Sequence, residues 1–99
     1  MEQWFKLSIA EQLGNIGSEY ERALKWKEKG QSEHFQSAFE RMLKQLDWTL
    51  SDKRWDLFRL KEIARVREQV CAELTSDQAP GQNLKKYFFQ FASLARSHK

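Results

Sequence analysis

The sequence predicts an all-α protein, an up-down-up-down four-helix bundle with a long first helix and a short fourth helix. Three observations predict it. Apolar residues recur at steps of three and four through most of the 99 residues, the spacing that gathers side chains on one face of an α-helix. One proline and four glycines are too few punctuators for a sandwich of short strands. The polar breaks between the periodic stretches are short, which makes successive helices antiparallel neighbours. With 40% hydrophobic and 31% charged residues, disorder is excluded. A chain of this length buries roughly 65% of its unfolded surface, enough for one cooperative core over residues 1–99.

The first helix is predicted over about residues 3–29, with Phe5, Ile9, Leu13, Ile16, Tyr20, Ala23 and Leu24 as its stripe. Gly14 and Gly17 lie inside it, and two readings stand: close approach of a neighbouring helix, or a kink. Gly30 stops the helix, and Ser32 is placed to cap a second one over about 32–50, carrying Phe35, Ala38, Phe39, Met42, Leu43, Leu46 and Leu50. Ser51 or Asp52 offers an oxygen to cap a third helix over about 52–74, with the stripe Leu57, Leu60, Ile63, Val66, Val70 and Leu74. Residues 75–82 form the one real loop, rich in Ser, Asp, Pro and Gly. Asn83 then caps a fourth helix over about 83–96, whose face is Leu84, Tyr87, Phe88, Phe91, Ala92 and Ala95.

At ~1.5 Å per residue the first helix would be near 40 Å long and the fourth near 20 Å, so the first overhangs. Its unmatched turns hold Trp4, Phe5 and Ile9. A contiguous apolar patch of that kind either folds back over the bundle end or meets another chain. The expectation is a homodimer or a contact with another protein.

The pattern of chemistry-bearing residues argues against an enzyme. His34 and His98 are isolated, with no second ligand at the i, i+4 spacing a zinc helix uses. No glycine-rich phosphate loop is present, and Cys71 has no activating base in a recognisable pattern. The Arg, polar and His pattern of small helical ribonucleases is not met by Arg96 and His98, which stand two residues apart. No cofactor, metal or catalytic residue is expected. One cysteine rules out an internal disulfide framework, and no apolar run reads as a signal peptide or membrane span. A soluble cytoplasmic protein with no membrane partner is the expectation.

Charges inside the third stripe are more informative. Arg59 and Arg67 fall within about 40° of Ile63 on a 100° wheel, in the arc that should face the core. Buried arginines need partners, and Asp47 and Glu40 flank the second stripe. Two readings stand: a buried ion pair that fixes helix register, or an anion site lined by arginine forks.

The same wheel puts large aromatics off the core. Trp26 lies about 120° from Tyr20, between Lys25 and Lys27, and Trp4, Trp48, Trp55 and Phe58 also fall on flanks or outer faces. Trp is enriched in interface hot spots, so Trp4, Phe5, Ile9, Trp26, Trp48, Trp55 and Phe58 are the candidate interface. The net charge of +3 divides into −1 for residues 1–50 (seven basic, eight acidic) and +4 for residues 51–99 (ten basic, six acidic). Arg54, Lys61 and Arg65 face outward on the third helix, and Lys85 and Lys86 begin the fourth. This basic surface offers a weaker alternative, contact with a nucleic-acid backbone, although Glu62, Glu68 and Glu73 interleave with it.

At GSEYERALKWKEKG, AFERMLKQLDWTLSD, RLKEIARVREQVC and KYFFQFA the chain resembles a family of short, all-helical, uncharacterised prokaryotic proteins with no assigned activity. The resemblance implies a prokaryotic source and a single intact domain. It brings no cofactor, partner or site residue. The functional expectation is a small non-catalytic interaction protein that self-associates and binds another macromolecule through the first helix and its outer aromatics. The alternative is a nucleic-acid-binding or RNA-processing-associated module that uses the basic half.

Overall fold

The computed structural model describes residues 2–77 and 81–97; the middle of the predicted 75–82 loop and His98 lie outside them. A single 3-10 turn (Trp4–Lys6) leads into four helices: α1 (Ile9–Glu28), α2 (Ser32–Leu50), α3 (Leu57–Thr75) and α4 (Asn83–Ser97). No strand occurs among the described residues. The four-helix bundle is as the periodicity predicts, with α1 the longest helix and α4 the shortest.

The start of α1 differs from the prediction. The chain turns extended at Leu7 and Ser8, and Ser8 closes a reciprocal capping box with Glu11: each accepts the other's backbone N–H. A helix-start signal embedded in an apolar stripe overrides the periodicity around it. As a result α1 is 20 residues long, about 30 Å at 1.5 Å per residue, and nothing overhangs. The residues before it fold back over the bundle end. Trp4 is only 8% exposed, packed 5.9 Å from the Trp48 ring.

At its other end α1 stops at Gly30, whose φ of 71° is the left-handed conformation that glycine adopts without strain. Gly14 and Gly17 leave α1 unbroken. They let α4 come close: a Cβ on Gly14 would sit 3.2 Å from Ala92 Cα, and one on Gly17 would sit 2.5 Å from Phe88 Cβ. Close approach, not a kink, is their role.

α2 begins one residue after Gln31, so Ser32 is its first residue rather than its cap. The predicted start of the third helix also shifts. Asp56, not Ser51 or Asp52, caps α3 by accepting the Arg59 N–H at 2.8 Å, and residues 51–56 form the connection.

The core runs along α1 through Leu13, Ile16, Tyr20 and Leu24, against Ala38, Met42 and Leu46 of α2, Ile63, Val70 and Leu74 of α3, and Leu84, Phe88 and Phe91 of α4. α1 lies in close backbone contact with both α2 and α4, whereas α3 stands further from every neighbour. α3 is pinned near its C-terminal end. Tyr20, fully buried, donates to Glu73 at 2.8 Å, and the Lys27 ammonium donates to the carbonyls of Glu73 and Ser76. A cation on the last carbonyls satisfies groups that the helix itself leaves unpaired.

Candidate functional site

Polar side chains that could do chemistry are mostly occupied with holding the fold. At the bundle end beneath Trp4, the indole N–H donates to Thr49 Oγ1 at 3.1 Å, and Thr49 donates to the Gln45 carbonyl at 3.0 Å. Fully buried Gln12 donates to the Trp4 carbonyl at 3.0 Å and to Asp52 at 3.1 Å. Asp52 is 5% exposed and is clasped by Arg54, through its backbone N–H and its guanidinium, with Nη2 at 2.7 Å. The same Nη2 donates to the Leu7 carbonyl at 2.6 Å. Hydrogen bonding from Arg54 outweighs the cost of burial and holds the Asp52 carboxyl down to about 2. This network ties the folded-back N-terminal segment to the α2–α3 connection.

Arg54 is therefore not the free surface cation expected of it. Its guanidinium is spent on Asp52 and Leu7 and also covers the Trp55 ring at 4.5 Å. A second buried carboxylate, Glu19 on α1, takes Arg22 from its own helix and Arg41 from α2. Neither acid reads as buried from the sequence: each lies beside a stripe with a nearby arginine, Arg22 or Arg54, while its further partner, Arg41 or Gln12, comes from another segment.

The predicted buried ion pair is only half present. Arg67 does bridge to Asp47 at 2.8 Å, but Asp47 is exposed and Arg67 half-buried, so the pair joins α3 to α2 at the solvent edge. Arg59 pairs with Glu62 of its own helix at 2.7 Å and leans over Phe91. Glu40 is exposed and takes a hydrogen bond from Gln36 instead. The arginines thus lie on the margin of the core, with their charges turned outward to carboxylates.

The candidate interface residues fare unequally. Trp4 is interior, and Phe5, Ile9, Trp26, Trp48 and Trp55 are partly buried against the core. Trp26 is covered on one face by His34, stacked at 4.5 Å, with the Lys29 ammonium 5.5 Å from its ring. Phe58 alone of the seven is open, at 88% exposure.

Its neighbour Leu57 is 66% exposed, which corrects its assignment to the core stripe: at the first turn of α3 it faces away from Ile63, Val66 and Val70. Leu57, Phe58, Lys61, Glu62 and Arg65 line an open cavity of about 430 Å³. Within it Glu62 is already engaged, accepting from both Arg59 and the Tyr87 hydroxyl. Lys61 and Arg65, both exposed, have no carboxylate within ion-pair distance among the described residues. Two apolar side chains and two unpaired cations thus share one outward face.

Two further exposed apolar side chains were not singled out from the sequence. Phe89 is 65% exposed and Leu94 44%. In the run Tyr87-Phe88-Phe89 only two rings can turn inward at 100° per residue. Phe89 borders a shallower cavity of about 280 Å³ along the α1–α4 seam, where the Arg96 guanidinium lies 5.9 Å from its ring. Lys85 is half-buried and Lys86 exposed at the start of α4.

Among the described residues no group of three or more His, Cys, Asp or Glu is placed to hold a metal ion, and no helix is long and apolar enough to cross a membrane. Comparison of the chain with protein-family models, curated proteins and solved structures finds no match.

Proposed function

We propose that this chain is a small non-catalytic interaction protein that binds another protein through the outward face of the first half of α3. The observation that carries the reading is the exposure of Leu57 and Phe58 beside the unpaired Lys61 and Arg65. Large apolar side chains clustered at the surface and rimmed by charge are the usual mark of a contact site. The working surface moves from the first helix to the third. The argument for self-association through Trp4, Phe5 and Ile9 falls with the overhang, because those residues pack against the protein's own core.

The test compares proteins retained from the source cell by wild type and by Phe58→Ser. A protein retained by wild type and lost by the variant, with melting temperature unchanged, is the expected result. An identical set of retained proteins overturns the reading.

One observation favours a second reading, binding of single-stranded nucleic acid. An exposed aromatic ring beside two cations can stack a base and hold its phosphate. Titration with polyuridine at low salt separates the two: no change in Phe58-dependent behaviour removes the nucleic-acid reading.

A further inference from the structure

Resting on the α3 reading, we infer that the occupant of this face is an acidic amphipathic helix. The shape argues for a helix. Leu57, Lys61 and Arg65 form one row at steps of four, and Phe58 and Glu62 form the adjacent row, so the cavity they line is the groove between two ridges of a single helix. A groove between i±4 rows is what a ridge of side chains on a second helix fills. No strand is present among the described residues to offer a sheet edge to an extended peptide.

The charge argues for acid. Of the four cations on α3 from Arg59 to Arg67, two are neutralised inside the molecule, Arg59 by Glu62 and Arg67 by Asp47. The two left over, Lys61 and Arg65, both point into the groove. Among the described residues Glu62 is the only acid lining it, and its carboxylate is taken by Arg59 and Tyr87. Glu68 follows one turn beyond Arg65 and closes the basic stretch. The face therefore reads, from its N-terminal end, as an apolar pair, a cation, and a second cation about 6 Å further along. A complementary ridge carries one or two apolar side chains over Leu57 and Phe58, and carboxylates one and two turns away.

The experiment pans a displayed library of helical 20-residue peptides on the whole protein, in parallel with Phe58→Ser and with the double variant Lys61→Glu, Arg65→Glu. All these positions are exposed, and retained melting temperatures verify the folds. The expected result is enrichment of Asp or Glu at one- and two-turn spacing from an apolar pair, with binding about tenfold or more weaker to each variant. On the charge-reversed variant the enriched positions should turn to Lys or Arg. Peptides that depend on Phe58 but carry no acidic bias overturn the inference and leave the α3 reading standing. Peptides indifferent to Phe58, or no enrichment at all, overturn both. Stronger Phe58-dependent binding to polyuridine than to any selected peptide also overturns it.

Discussion

A Cβ placed on Gly17 would stand 2.5 Å from Phe88 Cβ, so α1 and α4 meet at a distance that only glycine permits. Gly17→Ala must push α4 away or tilt Phe88 from its packing with Tyr20, whose ring centroid is 5.5 Å off. The expected loss is about 2 kcal/mol, within the usual range for overpacking, and a melting temperature lower by roughly 8–16 °C. Gly14→Ala meets Ala92 Cα at 3.2 Å, and its gain of up to about 1 kcal/mol in helix propensity should leave it far closer to wild type. Thermal denaturation of the two variants checks the contrast.

Trp4 closes the bundle end by packing on Trp48 and donating to Thr49. Trp4→Ala is expected to cost about 3–5 kcal/mol, the range for removing a large buried aromatic. Thr49→Val, which keeps the volume and removes the acceptor, should cost about 1–2 kcal/mol by leaving the indole N–H unpaired. Urea denaturation followed by circular dichroism measures both.

Asp52 gives acid stability a defined contribution. Its folded pKa of about 2 lies below the ordinary 3.8, so the folded state holds the carboxylate more strongly than the unfolded chain does. The stabilisation is fully present above the unfolded value and is lost as pH falls from about 4 through about 2. Its size is on the order of 2 kcal/mol. Asp52→Asn should lower stability at neutral pH by a similar amount and flatten the slope of stability between those two pH values. Denaturation midpoints across that interval, compared with wild type, show whether it does.

Both tyrosines of the chain donate to carboxylates, Tyr20 to Glu73 and Tyr87 to Glu62. Burial first, and then these hydrogen bonds, push both hydroxyls well above their ordinary value. The folded protein should show no tyrosinate absorbance near pH 10, where free tyrosine titrates. Because the unfolded chain releases these protons earlier, stability falls as pH rises beyond that point. Tyr87→Phe should reduce the slope, and in the otherwise wild-type chain Glu62→Gln should shift the Tyr87 titration downward.

The face of α3 yields the opposite kind of result. Phe58→Ser, Leu57→Gln and Arg65→Ser remove exposed side chains and are expected to change stability by no more than about 0.5 kcal/mol. A loss of several kcal/mol in guanidinium denaturation would mean that this surface supports the fold and is not reserved for contact.

Helix number, order and most of the core were legible in the sequence because periodicity depends only on the chain's own geometry. Phe58 was placed outward by the same rule, and the structure agrees. The errors arose where local and distant effects compete. Ser8 and Glu11 start the first helix late through a capping box hidden within an apolar stripe, and this turns Trp4 from an overhanging contact into a lid. Arg54 read as a surface cation because Asp52, two residues away, gives no sign of its burial, and the other acceptor, the Leu7 carbonyl, comes near only when the N-terminal segment folds back. Leu57 fits the third stripe by residue type, but at 100° per residue it stands about 120° from Ile63, outside the arc that faces the core. A helical wheel ranks faces; it does not say where a neighbouring helix lies.

The distance at which α3 stands from its neighbours gives the proposed contact an energetic signature. Besides the core residues Ile63, Val66, Val70 and Leu74, its ties are Arg67 to Asp47, Tyr87 to Glu62, and Tyr20 and Lys27 at its end; with the fewest close backbone neighbours of the four helices, it is the expected site of sub-global opening. A partner seated on Leu57 and Phe58 would bind only the closed form and thereby slow that opening. Occupancy of the face should register as slowed amide exchange along the whole of α3, far beyond the residues touched, while α1 and α2 exchange at unchanged rates.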